Sequence, residues 1–348
     1  MTRRLGLAAA LATAVLLGAS GCSSDRRTVL TVYSPHGKDL LTYFEQEFEK
    51  AHPDIDVQFV DMGSQEVLDR LRAEKANPQA DVWFGAPSEI FDRAASEGLL
   101  DAYKPTWANV VPADAHDPGD LWYGTYMTPE VIAYSADAVD SAAAPQDWDD
   151  VLDPKWNQQI IIRDSVASGS MRAIWGAILI RSIKTTGNTA AGWQWLRTLD
   201  AHTKEYTLDG TMMMQKLGRL EGKITLFDMP DIAGTRQRDS VHINYLIPKS
   251  GTPLIVDAIA VVKGSKHAAE ARAYYEFVTT REAILEASKR FNRIPLRPDI
   301  DVAALPEWIR SVRPLLKPMP LDRQLIADSL NTWMTYWDAN VRNRGRKQ

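Results

Sequence analysis

The sequence predicts an α/β fold with two lobes. Between residues 29 and 98, short β-branched runs alternate with segments that carry apolar residues at helical spacing, which is typical of a parallel sheet covered on both faces. A second set of strands and helices begins near residue 160. The length of 348 residues suits about two domains, and 45% hydrophobic with 24% charged residues is typical of a soluble globular protein. The formal net charge of −5 carries no signature of nucleic-acid binding.

Three strand–helix pairs form the predicted first lobe. We expect strands at 29–33, 57–60 and 81–84 and helices at 39–51, 65–76 and 88–98. In sheets of this kind a ligand meets the carboxyl ends of the strands, and here those ends are small or polar. The loops after the strands therefore supply the candidate ligand contacts Ser34, His36, Ser64 and Pro87. A solvated loop residue is the alternative interpretation of His36.

The pattern changes after residue 121. Two short strands, at 122–124 and 131–134, have no helix between them. In the second lobe we expect strands at 160–162, 224–227 and 243–247 and helices at 171–184, 190–199, 212–220 and 231–237. The β-branched run at 254–262 predicts a strand that returns to the first sheet, and helices at 268–278, 283–290, 307–312 and 323–341 complete the chain.

The turn Ser168-Gly169-Ser170 joins a predicted strand to a predicted helix. Either serine can cap the helix, and the free backbone N–H groups at such a helix start suit an anion. Arg172 adds a bidentate partner for a phosphate, phosphonate or carboxylate. An ordinary capped helix and a solvated arginine are the alternative interpretations.

Carboxylates and aromatic residues supply further candidates. Asp228 and Asp231 follow the predicted strand at 224–227, where they can accept from an ammonium or hydroxyl group of a ligand, or else cap a helix. Trp83, Trp122 and Tyr126 are candidates for the walls of a cleft, although core packing is the more usual role of a tryptophan in a strand.

The first 28 residues form a separate unit. Arg3 and Arg4 precede an apolar run that is too short to span a bilayer comfortably, and small residues follow before Cys22, the only cysteine. The pattern resembles a bacterial lipoprotein signal. It indicates a signal peptide at 1–21, a lipid on Cys22 and a polar tether at 22–28. A plain secretory signal is the alternative.

Four segments carry a resemblance to a known family. They are Leu-Thr-Val-Tyr-Ser at 30–34, Ala-Asp-Val-Trp-Phe-Gly at 80–85, the run from Trp148 to Trp156, and Ser168-Gly169-Ser170. With the leader and the two lobes, they resemble extracellular solute-binding proteins of ABC importers. More narrowly, they resemble the group that includes ferric-iron, thiamine, phosphosugar and aminoethylphosphonate binders. The resemblance implies a type II periplasmic-binding-protein fold, each lobe a mainly parallel sheet flanked by helices, with two hinge crossings near 131–134 and 254–262. It places the first lobe at 29–130 and 256–348 and the second at 131–255.

The ferric-iron binders of this group hold the metal with a histidine, a glutamate and two adjacent tyrosines. Here Gly85-Ala86-Pro87 stands at the glutamate position, Pro230-Asp231 replaces the tyrosine pair, and His36 is offset by about one residue. Because ferric iron prefers phenolate and carboxylate oxygens, the sequence argues against a tyrosine-type iron site.

The resemblance implies the substrate-binding component of an ABC importer, without catalysis, metal or cofactor. Such a protein captures a small solute between its lobes and delivers it to a permease in the inner membrane. We favour an organic phosphate or phosphonate, because members of the group grip the anion with the turn that Ser168-Gly169-Ser170 matches. A thiamine- or polyamine-like cation, ferric iron in a site without tyrosines, and a lipoprotein enzyme or sensory partner protein are the alternatives. We expect a monomer in the periplasm, tethered to the membrane by lipid.

Overall fold

The computed structural model of the protein describes residues 27–238 and 241–345. The strands are β1 (Thr28–Ser34), β2 (Ile55–Asp61), β3 (Val82–Pro87), β4 (Leu100–Asp101), β5 (Tyr123–Ser135), β6 (Ile160–Arg163), β7 (Thr203–Thr207), β8 (Ile224–Asp228), β9 (Ile243–Leu246), β10 (Leu254–Val262) and β11 (Ile294–Pro295). The helices are α1 (Lys38–Ala51), α2 (Ser64–Ala73), α3 (Ser88–Ser96), α4 (Gly169–Thr186), α5 (Ala190–His202), α6 (Gly210–Gly218), α7 (Met229–Arg238), α8 (Ala268–Val278), α9 (Arg281–Phe291), α10 (Glu307–Val312) and α11 (Arg323–Asn340). The predicted signal peptide, Cys22 and most of the predicted tether lie outside the described residues.

One mixed sheet with flanking helices forms the body of the protein. Its strand order is β2-β1-β3-β10-β5-β8-β6-β7, with β4, β9 and β11 joined at the side. β1 is parallel to β2 and β3, and β6 is parallel to β7 and β8. β5 and β10 run antiparallel to their neighbours. The predicted parallel pairing therefore describes the outer strands, and the two strands at the centre make the sheet mixed. The predicted α/β class is confirmed.

The long strand β5 divides the sheet into two halves. Tyr123 to Pro129 pairs with β10, and Glu130 to Tyr134 pairs with β8. We call the strands β1–β4, β10 and β11, with the first part of β5, the first half-sheet; β6–β9, with the rest of β5, form the second half-sheet. The sequence predicted two short strands at 122–124 and 131–134, and this division was wrong. Gly124 and Pro129 interrupt the apolar pattern of what is one strand, and Pro129 stands where β5 changes its partner.

The run from Trp148 to Trp156 has a structural role. The buried indole Nε1 of Trp148 donates to the carbonyl of Gly251 at 2.8 Å, and Asp149 accepts from Trp195 Nε1 at 2.8 Å. These bonds fix the segment that leads into the second half-sheet against α5 and against the loop before β10.

The last helix, α11, packs against α3 of the first half and α4 of the second. The ring centroids of its Trp337 and of Trp175 in α4 are 6.1 Å apart, and both side chains are buried. In the described part of the chain, no helix combines the length and apolarity that a bilayer crossing requires.

Candidate functional site

Two adjoining cavities lie between the half-sheets. Cavity A, of about 250 Å³, is walled by residues 36–40, Phe291 and Arg293 on one side, and by the starts of α6 and α7 on the other. Cavity B, of about 350 Å³, extends from the loop after β2 to Arg163 at the end of β6. Gly37, Asp61 and Asp231 are among the residues that line both. Both cavities are near the lower end of the range of about 300–1,000 Å³ for small-molecule sites, so they suit a small ligand.

The first turn of α1 opens into cavity A. The helix begins at Lys38 after Gly37, which has no side chain to act as a cap, and the backbone N–H of Gly37 donates to Asp61. The first N–H groups of a helix lack intrahelical partners and carry the positive end of the helix dipole. This helix start and the Lys38 side chain can therefore hold an anion.

Arg293 lies on the wall of the same cavity. Arg293 is only 7% exposed. One of its terminal nitrogens donates to the carbonyl of His36 at 2.9 Å and lies 3.5 Å from Asp231 Oδ1. Within the described residues its Nε has no hydrogen-bond partner. A buried guanidinium with an unused donor is suited to a ligand anion. Arg293 is not predictable from the sequence, because its partner His36 is 257 positions away.

His36 supports the loop that carries these groups. The predicted residue Ser34 is buried, and its Oγ accepts the backbone N–H of His36 at 3.1 Å. The imidazole packs edge-on against Phe84, with ring centroids 4.8 Å apart. Burial, together with the charge of Arg293, lowers the pKa of His36 well below its ordinary value, so the ring is neutral at pH 7. Gly85, at φ 96°, provides room for this ring, since a Cβ there would lie 2.6 Å from His36 Nε2.

The predicted anion turn lies at a contact between the two halves. The Oγ of Ser168 accepts the N–H of Met171 at 3.3 Å and so caps α4. A Cβ on Gly169 would lie 2.7 Å from Ser64 Oγ and 2.9 Å from Pro87 Cδ. The structure thus brings the predicted residues Ser64, Pro87, Ser168 and Gly169 together, but none of them lines cavity A or B.

Three buried carboxyl groups lie beside this contact. Glu130 on β5 is the strand partner of Asp228 on β8, and Asp257 lies on β10. The hydroxyl of Ser170 is 3.3 Å from Asp228 Oδ2. Burial raises the pKa of Asp257 to about 6 and raises the pKa of Glu130 well above its ordinary value. Burial and the charge of Asp231 also raise the pKa of Asp228. Each of these acids that ionises repels an anion at Ser170, and an anion bound there would raise their pKa further.

Asp228 and Asp231 have different positions. Asp228 is buried, and its Oδ1 accepts the N–H of Asp231 at 2.9 Å, so it caps α7. Asp231 has a side chain that is 48% exposed and lines both cavities. Of the two predicted carboxylates, Asp231 is the one that a ligand in the cavities meets.

Arg172 on α4 lines neither cavity A nor cavity B. It is 3% exposed, its terminal nitrogens donate to the carbonyl of Val166 at 3.2 Å and to Asn331 of α11, and burial lowers its pKa to about 10. Its Nε, like that of Arg293, has no hydrogen-bond partner among the described residues, but Arg172 lines neither cavity and so does not meet a ligand there.

The tryptophans predicted as cleft candidates belong to the core. Trp83 and Trp122 are buried, and Trp83 stacks on Phe91 with ring centroids 4.0 Å apart. The aromatic residues of cavity A are instead Phe227 and Phe291. Across the described residues, no three His, Cys, Asp or Glu side chains gather as a metal site requires.

Comparisons with known proteins agree with this architecture. The family model of the bacterial extracellular solute-binding protein matches residues 45–312. A candidate ABC transporter periplasmic-binding protein of Sinorhizobium fredii is 27% identical over 340 residues, which cover 97% of this chain and 92% of that protein. A candidate 2-aminoethylphosphonate-binding periplasmic protein of Salmonella typhimurium is 25% identical over 299 residues, with 83% and 85% covered.

Among solved structures, the periplasmic binding protein AfuA of Actinobacillus pleuropneumoniae, with fructose-6-phosphate bound, has a TM-score of 0.78. Its sequence identity is 20%, and the match covers 90% of this chain and 99% of AfuA, so this likeness concerns the fold. The predicted type II periplasmic-binding fold and the predicted resemblance to substrate-binding proteins of ABC importers are confirmed. The chain belongs to the bacterial extracellular solute-binding protein family.

Proposed function

We propose that this protein is the substrate-binding component of an ABC importer for a small solute that carries a phosphate or phosphonate group. The solute binds between the half-sheets, and a permease of the inner membrane receives it. The protein performs no chemistry in this role. The names of the Salmonella relative and of the AfuA complex, which state a phosphonate and a phosphosugar, support the choice of solute class.

One observation carries the proposal: a helix start with glycine at its N-cap and a buried arginine with an unpartnered Nε line the same cavity. The start of α1 offers backbone N–H groups, and Arg293 offers a charged donor that is already desolvated. Phosphate and phosphonate oxygens accept several such bonds at once. We therefore move the proposed anion site from Ser168–Arg172 to residues 37–40 with Arg293.

A cationic solute is the second candidate, because acidic residues outnumber basic ones along the two cavities. The basic residues are Lys38, Arg163 and Arg293, and the acidic ones are Asp39, Asp61, Glu66, Asp209 and Asp231. Glu66 and Asp209, however, accept the N–H groups of Gly63 and Met212 at 2.7 Å and serve as helix caps. The excess negative charge available to a solute is therefore small.

Calorimetric titration tests the proposal with 2-aminoethylphosphonate, fructose 6-phosphate and spermidine as probes. Loss of a charge-assisted hydrogen bond costs about 1.5–3 kcal/mol, so Arg293→Ala should weaken binding of a phosphonate or phosphate probe about 10–100-fold. Arg172→Ala removes another buried arginine that does not line the cavities, and it should leave the affinity unchanged. Equal loss in both variants, or tight binding of spermidine alone, would contradict the proposal.

We also propose that Cys22 carries a lipid that tethers a monomeric protein to the outer face of the membrane. The leader pattern supports this, since the sole cysteine follows small residues at the end of a short apolar run. The lobes at 29–130 with 256–348, and at 131–255, close on the solute in this proposal. The change of partner between Pro129 and Glu130 in β5 supports the first of these boundaries.

A further inference from the structure

Asp61 and Asp231 face the same space from opposite halves of the protein. Asp61 is the last residue of β2 in the first half-sheet, and Asp231 lies in the first turn of α7 in the second. Each of them lines both cavity A and cavity B. The two carboxylates therefore stand where the cavities meet.

Neither carboxylate is fully satisfied by the protein. Asp61 makes no ion pair within the described chain, and the backbone N–H of Gly37 donates to it. Asp231 has one long ion pair, at 3.5 Å, with Arg293, whose same nitrogen already donates to His36 at 2.9 Å. An ionised carboxylate has about four lone-pair sites, so both groups keep free acceptors.

The two groups also influence each other electrostatically. Burial is the main cause that raises the pKa of Asp61, and the negative charge of Asp231 is the next. Two like charges on opposite walls repel each other and oppose the approach of the walls. A cation between them removes this repulsion and is favoured by both.

The anion site lies on the same cavity walls. The start of α1 and Arg293 line cavity A together with Asp61 and Asp231, and Arg293 is nine-tenths buried with an unpartnered Nε. A solute with an anionic group at one end and an ammonium group at the other can therefore satisfy both kinds of group within one small cavity.

We propose that Asp61 and Asp231 bind the ammonium group of an amino-phosphonate or amino-phosphate solute, an inference that rests on the phosphate- or phosphonate-binding function proposed above. The pair determines specificity: it favours such zwitterions over phosphosugars and over plain alkylphosphonates. An ammonium group donates three hydrogen bonds and matches two carboxylates at one point better than a hydroxyl does.

Titration calorimetry with 2-aminoethylphosphonate and ethylphosphonate, which lacks the amine, tests the pair. The wild-type protein should bind the amine-bearing probe at least about tenfold more tightly. Asp61→Asn should abolish this preference by weakening 2-aminoethylphosphonate while leaving ethylphosphonate unchanged or tighter. Asp231→Asn should act in the same direction. Asp69→Asn, which removes a carboxylate of α2 outside both cavities, should preserve the preference.

The outcomes separate this inference from the function on which it rests. If both probes bind the wild type equally and Arg293→Ala weakens both, the phosphonate function stands and the ammonium site is refuted. If Asp61→Asn weakens both probes alike, the ammonium site is refuted as well. If neither phosphonate binds, but spermidine binds and is lost in Asp61→Asn, the cation site stands and the phosphonate function is refuted.

Discussion

Asp257→Asn should change the pH dependence of stability in a way that the position of this carboxyl group dictates. Asp257 is buried on β10, where Thr128 donates to its Oδ2. Burial is the main cause that raises its pKa to about 6, and the charge of Asp231 raises it further, while Arg293 opposes the rise. Asparagine has nearly the same shape as the protonated acid but cannot ionise, so it removes only the cost of the buried charge.

The magnitude follows from the two protonation equilibria. The pKa of Asp257 is about 6 in the folded protein and 3.8 ordinarily, so the folded state holds the proton more tightly. Its contribution to the free energy of unfolding is complete below pH 4 and is lost as the pH rises through 6. At 1.36 kcal/mol per pKa unit, the loss is about 3 kcal/mol. The stability of Asp257→Asn relative to wild type should therefore rise by about 3 kcal/mol between pH 4 and pH 8.

Urea denaturation of the wild type and of Asp257→Asn across that pH range measures this difference. The contributions of all unchanged titrating groups cancel in it. Asp299→Asn is the control: hydrogen bonding from Arg297 lowers the pKa of Asp299 to about 2, so this carboxyl is ionised throughout the range. The control should lose stability by an amount that stays constant from pH 4 to pH 8. A stability difference for Asp257→Asn that is also independent of pH would refute the reasoning.

Two other predictions concern the backbone and the leader. Gly85→Ala should cost about 2–4 kcal/mol of unfolding free energy, because its left-handed φ is strained for alanine and its Cβ would lie 2.6 Å from His36 Nε2. Gly98 also has a positive φ, but no atom lies within 4 Å of the position a Cβ would take, so Gly98→Ala should cost about 1 kcal/mol. Equal losses of unfolding free energy for the two variants in urea denaturation would contradict the steric argument. Cys22→Ser should move the protein from the membrane fraction to the soluble fraction, and an unchanged distribution on immunoblots would exclude a lipid there.

Much of the fold was predictable because periodicity reports burial. The strand at 254–262 and the helices at 268–278 and 307–312 have the predicted bounds. β7 was missed because its sequence, Thr-Lys-Glu-Tyr-Thr, has no apolar run, and only its two terminal threonines are buried. Its pairing with β6, rather than its own residues, makes it a strand.

The candidate site was predictable only in part. The rule that ligands meet the carboxyl ends of strands led to the loop after β1, and His36 lines cavity A. The orientation of Arg172 was not accessible, because α4 is apolar on nearly every side and its periodicity does not indicate which face meets the cleft. Asp61 and Arg293 become neighbours of Asp231 only through long-range packing, which one sequence does not encode in any short pattern.

The charge of Arg293 acts on carboxyl groups in both halves of the protein, and this explains why a zwitterionic solute suits the cavities. Its charge lowers the pKa of Asp61, Asp228 and Asp257, which burial raises in each case. An anion that binds Arg293 partly cancels its positive charge, so ionisation of the carboxyl groups around Arg293 becomes less favourable. A solute that brings its own cation to Asp61 and Asp231 restores the balance, whereas a plain anion increases the excess of negative charge. Arg293→Ala removes this positive charge, so it should weaken the binding of the phosphonate group and strengthen the preference for 2-aminoethylphosphonate over ethylphosphonate.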